Sequence, residues 1–133
     1  MTTDYGLTAT LNVPYEEAIE KATAALKEEG FGVLTEIDVK ATLKKKIDAD
    51  FRRYVILGAC NPKLAHQALQ NELEIGLLLP CNVIVYETDN DKSTVSIVNP
   101  MAMMGVTQNK NLNKVADEAN TRLSRVVEKL ASA

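Results

Sequence analysis

From Leu7 to Val13, apolar and polar positions alternate: Leu7, Ala9, Leu11 and Val13 are separated by Thr8, Thr10 and Asn12. A period of two is the pattern of a strand with one buried face. The period changes at Pro14, whose fixed φ suits a helix start, and Glu16 and Glu17 follow where the helix dipole favours negative charge. Tyr15, Ala18, Ile19, Ala22 and Leu26 then recur at helical spacing, which predicts a helix with its apolar stripe on a sheet. Lys21, Lys27, Glu28 and Glu29 fall on its wet side, and Gly30 suits the left-handed position that closes such a helix.

Phe31 to Ile37 reads as a second strand, and Asp38 as the N-cap of a short helix reaching Ile47, with Val39, Leu43 and Ile47 on one face. Tyr54 to Cys60 is almost wholly apolar; its length and its β-branched pair Val55-Ile56 favour a central strand over a helix. Asn61-Pro62 puts a preferred cap before a proline, so a helix is expected from there to about Glu74. Asn82 to Glu87 and Thr94 to Val98 predict two strands paired antiparallel through the polar loop 88–93. Leu112, Val115, Ala116, Ala119, Leu123, Val126, Val127 and Leu130 predict a long covering helix. The order β-α-β-α-β-α-β-β-α mixes crossover units with a hairpin. It implies an α+β fold, a single mixed sheet of about five strands with helices mainly on one face, in one domain over residues 1–133.

Composition adds exclusions. With 46% hydrophobic and 25% charged residues, the 133-residue chain sits near the globular average. Its longest apolar run, around Ile75 to Pro80, is far short of the roughly 20 residues that span a bilayer. The first residues, Met1 to Tyr5, carry no positive segment and no apolar segment, so export is not expected and a cytoplasmic location is. A net charge of −3 disfavours nucleic acid as a partner. One local exception is the group Lys40, Lys44, Lys45, Lys46, Arg52 and Arg53, which reads as a solvated helix end or as a patch for an anionic partner.

The candidate chemistry lies in sulfur and one imidazole. Cys60 closes a strand and precedes a helix N-terminus, where free N–H groups and the dipole lower a thiol pKa; the alternative is a small buried hydrophobe. Cys81 opens the fourth strand, and the long interval from Cys60 is unlike the short C-x-x-C spacing of redox or zinc motifs. His66, the sole histidine, lies about one turn into the helix after Cys60. Cys60, Cys81 and His66 are the candidate metal ligands, as a three-donor set with an open position or as donors to a haem. With Asn61 they form the candidate ligand-binding group. Met101, Met103 and Met104 suit core or interface filling, a copper site or a dimer seam. No acid pair stands at a readable spacing, and the glycine-rich dinucleotide, Walker and G-x-S-x-G signatures are missing.

Three segments together resemble the bacterial and archaeal family called domain of unknown function 302. They are Gly30 to Val39, Tyr54 to Pro62 with Gly58-Ala59-Cys60-Asn61-Pro62, and Gly76 to Tyr86 with Leu79-Pro80-Cys81-Asn82-Val83; Asn99-Pro100 fits as well. The resemblance implies an α+β fold that tends to homodimerise, without an assigned activity. It places Cys60, Asn61, Pro62, Pro80 and Cys81 within the family's motif segments.

Two functional classes follow. The first is a binding module, expected as a homodimer, in which the Cys60 and Cys81 region holds a metal, haem, sulfur species or small ligand in a redox-linked role. The second is an enzyme with the Cys60 thiolate as nucleophile and His66 as its base. A purely structural domain with core cysteines is the remaining alternative; no catalytic residue is assigned.

Overall fold

The computed structural model describes residues 4–89 and 91–132; the start of the amino-terminal segment and the tip of loop 88–93 at Asn90 lie outside the described residues. The strands are β1 (Gly6–Leu11), β2 (Gly32–Asp38), β3 (Tyr54–Cys60), β4 (Cys81–Glu87) and β5 (Ser93–Val98). They form one sheet in the order β1-β5-β4-β3-β2. The helices are α1 (Tyr15–Glu28), α2 (Val39–Ile47), α3 (Pro62–Asn71), α4 (Pro100–Gly105) and α5 (Asn113–Ala131).

The α+β class, the five strands and the sheet's one-sided helical cover match the sequence reading, but the expected mixed pairing does not occur. Every neighbouring pair in the sheet is antiparallel. The reason is topological: β1 and β2 run the same way but occupy opposite edges, so the β1-α1-β2 crossover passes over the whole sheet instead of joining neighbours. Two further boundaries differ. α3 stops at Asn71 and a 3-10 turn, Leu73–Leu78, follows it. Met101, Met103 and Met104 lie in α4, a helix that the predicted element order does not include.

Local signals explain the element ends. At the end of α1, Gly30 has φ +84°, its N–H donates to the Lys27 carbonyl at 3.0 Å, and the Phe31 N–H donates to the Leu26 carbonyl at 2.9 Å. This is a Schellman closure, and it turns Phe31 back into the core beside Leu26. Asp38 caps α2 by accepting from the Ala41 N–H at 2.9 Å. Asn61 caps α3 by accepting from the Leu64 N–H at 3.2 Å, with Pro62 in the first turn.

Leu57, Val83, Val85, Val95 and Ile97 from the central strands pack with Ala18, Ala22, Leu26, Leu123, Val126 and Leu130 from α1 and α5 in the main core. A second cluster joins Ala68 of α3, Ile75, Met104 of α4 and Leu112, Val115 and Ala116 around the start of α5. Most of the basic run is engaged locally. Lys40 donates to the Phe51 carbonyl at 2.9 Å, Lys44 pairs with Asp48 at 2.9 Å, Arg52 donates to the Glu87 carbonyl at 3.3 Å, and Arg53 pairs with Glu16. These partners favour the solvated-helix reading of that run over an anion patch. Among the described residues no helix is long and apolar enough to cross a membrane.

Candidate functional site

The register between β3 and β4 sets Cys81 opposite Ala59, one residue before Cys60. Cys81 continues the buried series Val83 and Val85 and is itself only 8% exposed, whereas Cys60, at the end of β3, is half-buried. The two cysteines thus sit at adjacent register positions on neighbouring strands, a placement that their wide separation in the chain does not reveal. Glycine shapes the strand beside them. A Cβ on Gly58 would stand 2.1 Å from Thr35 Oγ1 and 2.8 Å from Pro80 Cγ, so a bare backbone on β3 is what lets Pro80 lie against the sheet just before Cys81.

Both cysteines line a cavity of about 30 Å³, with Phe31, Leu64, Ala68, Leu79, Met103 and Met104 among its other walls. Burial pushes the Cys81 thiol up to about 11, with the nearby Cys60 adding to the rise; burial also pushes Cys60 up. The direction opposes the depressed pKa expected of Cys60 from the helix N-terminus that follows it, because loss of solvent penalises the thiolate. Both thiols are free.

The expected third ligand is elsewhere. Leu64, Ala65 and Ala68 line the cavity from α3, and His66 is two residues from both Leu64 and Ala68, about 200° round the helix from each. It is exposed and does not line the cavity. Among the described residues no group of three His, Cys, Asp or Glu side chains is arranged to hold a metal ion. Of the expected set Cys60, Cys81 and His66, the two cysteines line the cavity and helical periodicity turns the imidazole away from it. The cavity's volume of about 30 Å³ is an order of magnitude below the roughly 300–1,000 Å³ of pockets that enclose small organic ligands.

A second, wider depression of about 840 Å³ runs between α3 and α5 and shares Asn61 and Leu64 with the first. Its walls carry Lys63, Lys114, Asp117, Glu118 and Arg122. Arg122 is committed within the fold, donating to Glu118 at 3.2 Å and to the Glu29 carbonyl at 3.0 Å. Asn61 borders both spaces, with its Oδ1 committed to the cap of α3.

The model of the domain of unknown function DUF302 matches residues 7–130. The chain belongs to the DUF302 family. A solved structure of an uncharacterised conserved DUF302 protein from Bacillus stearothermophilus is 30% identical, with a TM-score of 0.87 over 96% of this chain and 99% of that one. No curated protein matches the chain. The family has no assigned function, so the chemistry of this DUF302 domain has to be argued from its own residues.

Sequence reasoning missed Met103 and Met104 as members of the site. A usable signal was present: Asn99-Pro100 repeats the cap-and-proline pair that announced α3 at Asn61-Pro62. Asn99 does cap α4, accepting from the Met101 N–H at 2.9 Å, and the short helix then carries Met103 and Met104 to the cavity. Met101 is 42% exposed and stays outside.

Proposed function

We propose that the chain is a small cytoplasmic binding module whose working centre is the pocket shared by Cys60 and Cys81. The observation that carries this reading is that Cys60 and Cys81, distant in the chain, both line one apolar cavity. In a reducing compartment such thiols persist unpaired. Nucleophilic catalysis by Cys60 has less support: burial raises its pKa, and His66 does not reach the pocket to act as base. The test is native mass spectrometry of protein purified without added metal or chelator, compared with Cys60→Ser and Cys81→Ser. Retained mass lost in both variants supports the reading; the same mass in all three proteins overturns it.

A second reading, that the module acts as a homodimer, is favoured by the sheet face opposite the main core. There Ile37, Ile56 and Ile84 stand in register across β2, β3 and β4, and Tyr54 stacks on Tyr86 with ring centroids 5.4 Å apart. A solvated antiparallel face is normally polar. At about 4.8 Å between strands and about 3.4 Å per residue, the apolar half at β2–β4 spans on the order of 300 Å², the scale of patch that is often functional on a single chain. A second copy using the same patch satisfies it in a closed, two-fold manner. The methionines contribute less to such a seam than their sequence position implies, since Met104 is buried. Sedimentation of the wild type at micromolar concentration should give a dimer and Ile56→Asp a folded monomer; a monomeric wild type rejects the dimer.

A further inference from the structure

The cavity that joins Cys60 to Cys81 is bounded from α4 by Met103 and Met104, so four of the six sulfur-bearing side chains in the sequence meet round one space. Its volume of about 30 Å³ is on the order of a single water molecule. Water needs two to four polar partners, and this lining offers few. The single side chain with a polar N or O among the lining residues is that of Asn61, and its Oδ1 already accepts from the Leu64 N–H. The space is too small for an organic ligand and poor in oxygen and imidazole donors, yet rich in sulfur.

We infer that this pocket is a site for one soft monovalent metal ion of the Cu(I) type, held by Cys60 and Cys81 with Met103 and Met104 as thioether donors. The inference rests on the reading of the thiol pocket as the working centre, and extends it to the class of ligand and to two new donors. Thiolate and thioether sulfur select Cu(I), whereas hard cations require oxygen and zinc favours thiolate, imidazole or carboxylate. Both cysteines ligate as thiolates, so the ion with two thiolates and two neutral thioethers carries a single negative charge. In binding, two S–H bonds break, both protons pass to solvent, two Cu–S bonds form, and no electron is transferred.

The experiment is an anaerobic titration of the reduced full-length protein with Cu(I) against bicinchoninate, with circular dichroism to verify each variant's fold. The expected result is one Cu(I) per chain. Affinity should fall about 100-fold or more in Cys60→Ser and Cys81→Ser, beyond the roughly 10–100-fold that loss of an outer partner costs. Met103→Leu and Met104→Leu, which keep volume, should each lose about 10-fold. His66→Ala should bind as wild type does. Wild-type affinity in the Met103→Leu/Met104→Leu double variant overturns the inference, as does equal competition by Zn(II). Absence of Cu(I) binding alongside a retained, thiol-dependent mass of another kind sinks this inference and leaves the pocket reading standing. Absence of both sinks both.

Discussion

The two faces of the sheet are built from the same strands yet follow different rules. On the helix-covered face, Leu57, Val83, Val85, Val95 and Ile97 are all at most 1% exposed and pack with α1 and α5. On the other face, Ile37 is 49% exposed, and the row Ile37, Ile56, Ile84 ends in Ser96 and Thr8, whose hydroxyls bond at 2.9 Å. The open face thus divides into an apolar half at β2–β4 and a hydroxyl half at β5–β1. Pleating alone explains why neighbouring positions on a strand serve the core and the surface in turn. It does not explain an exposed Ile37 in one row with half-buried Ile56 and Ile84; contiguous apolar side chains on an open face are a feature of interaction surfaces.

The contrast can be broken most directly at adjacent residues of β3. Leu57→Ala should cost about 2–5 kcal/mol in denaturant unfolding, because it opens a cavity in a face with no slack. Ile56→Ala, measured at a dilution that separates any dimer, should cost about 1 kcal/mol. Equal losses would mean that the two faces are equally packed.

The buried thiol offers a second test. Cys81 is raised from an ordinary 9.0 to about 11, so the folded state keeps a proton that the unfolded chain releases above pH 9. The stabilising term is fully present below pH 9 and is lost as pH climbs to about 11. Its size is about 3 kcal/mol at about 1.4 kcal/mol per pKa unit. Cys81→Ala should flatten that part of the stability curve, whereas Cys60→Ala should flatten it less. Identical curves for the two variants would remove the distinction between the thiols.

A smaller effect is expected at Gly58. Gly58→Ala drives a methyl group towards Thr35 and Pro80 and should cost about 1–3 kcal/mol. Thr35→Ala removes the closer of the two obstacles and should recover part of the loss in a double-mutant cycle; strict additivity would show that Thr35 is not the obstacle. The smallest effect belongs to His66→Ala. As an exposed helix residue away from the cavity, it should shift stability by less than about 0.5 kcal/mol, and a larger change would restore it to the site.

Local chemistry in the sequence determined much of this fold. Asp38 and Asn61 cap because a short polar side chain reaches an orphan N–H within its own turn. Gly30 closes α1 because its missing Cβ permits a positive φ. The alternation in β1 and the helical stripe of α5 were legible because burial repeats with the period of the backbone. Each of these signals acts over a few residues. Strand order, the antiparallel sense of every pair and the meeting of Cys60 with Cys81 depend on which strand lies beside which, and no local period encodes that. The choice between His66 and the methionines was likewise tertiary. It turned on the angle at which α3 faces the cavity and on a short helix, α4, that brings thioethers to it, so packing between elements decided which side chains line the cavity after residue chemistry had only nominated them.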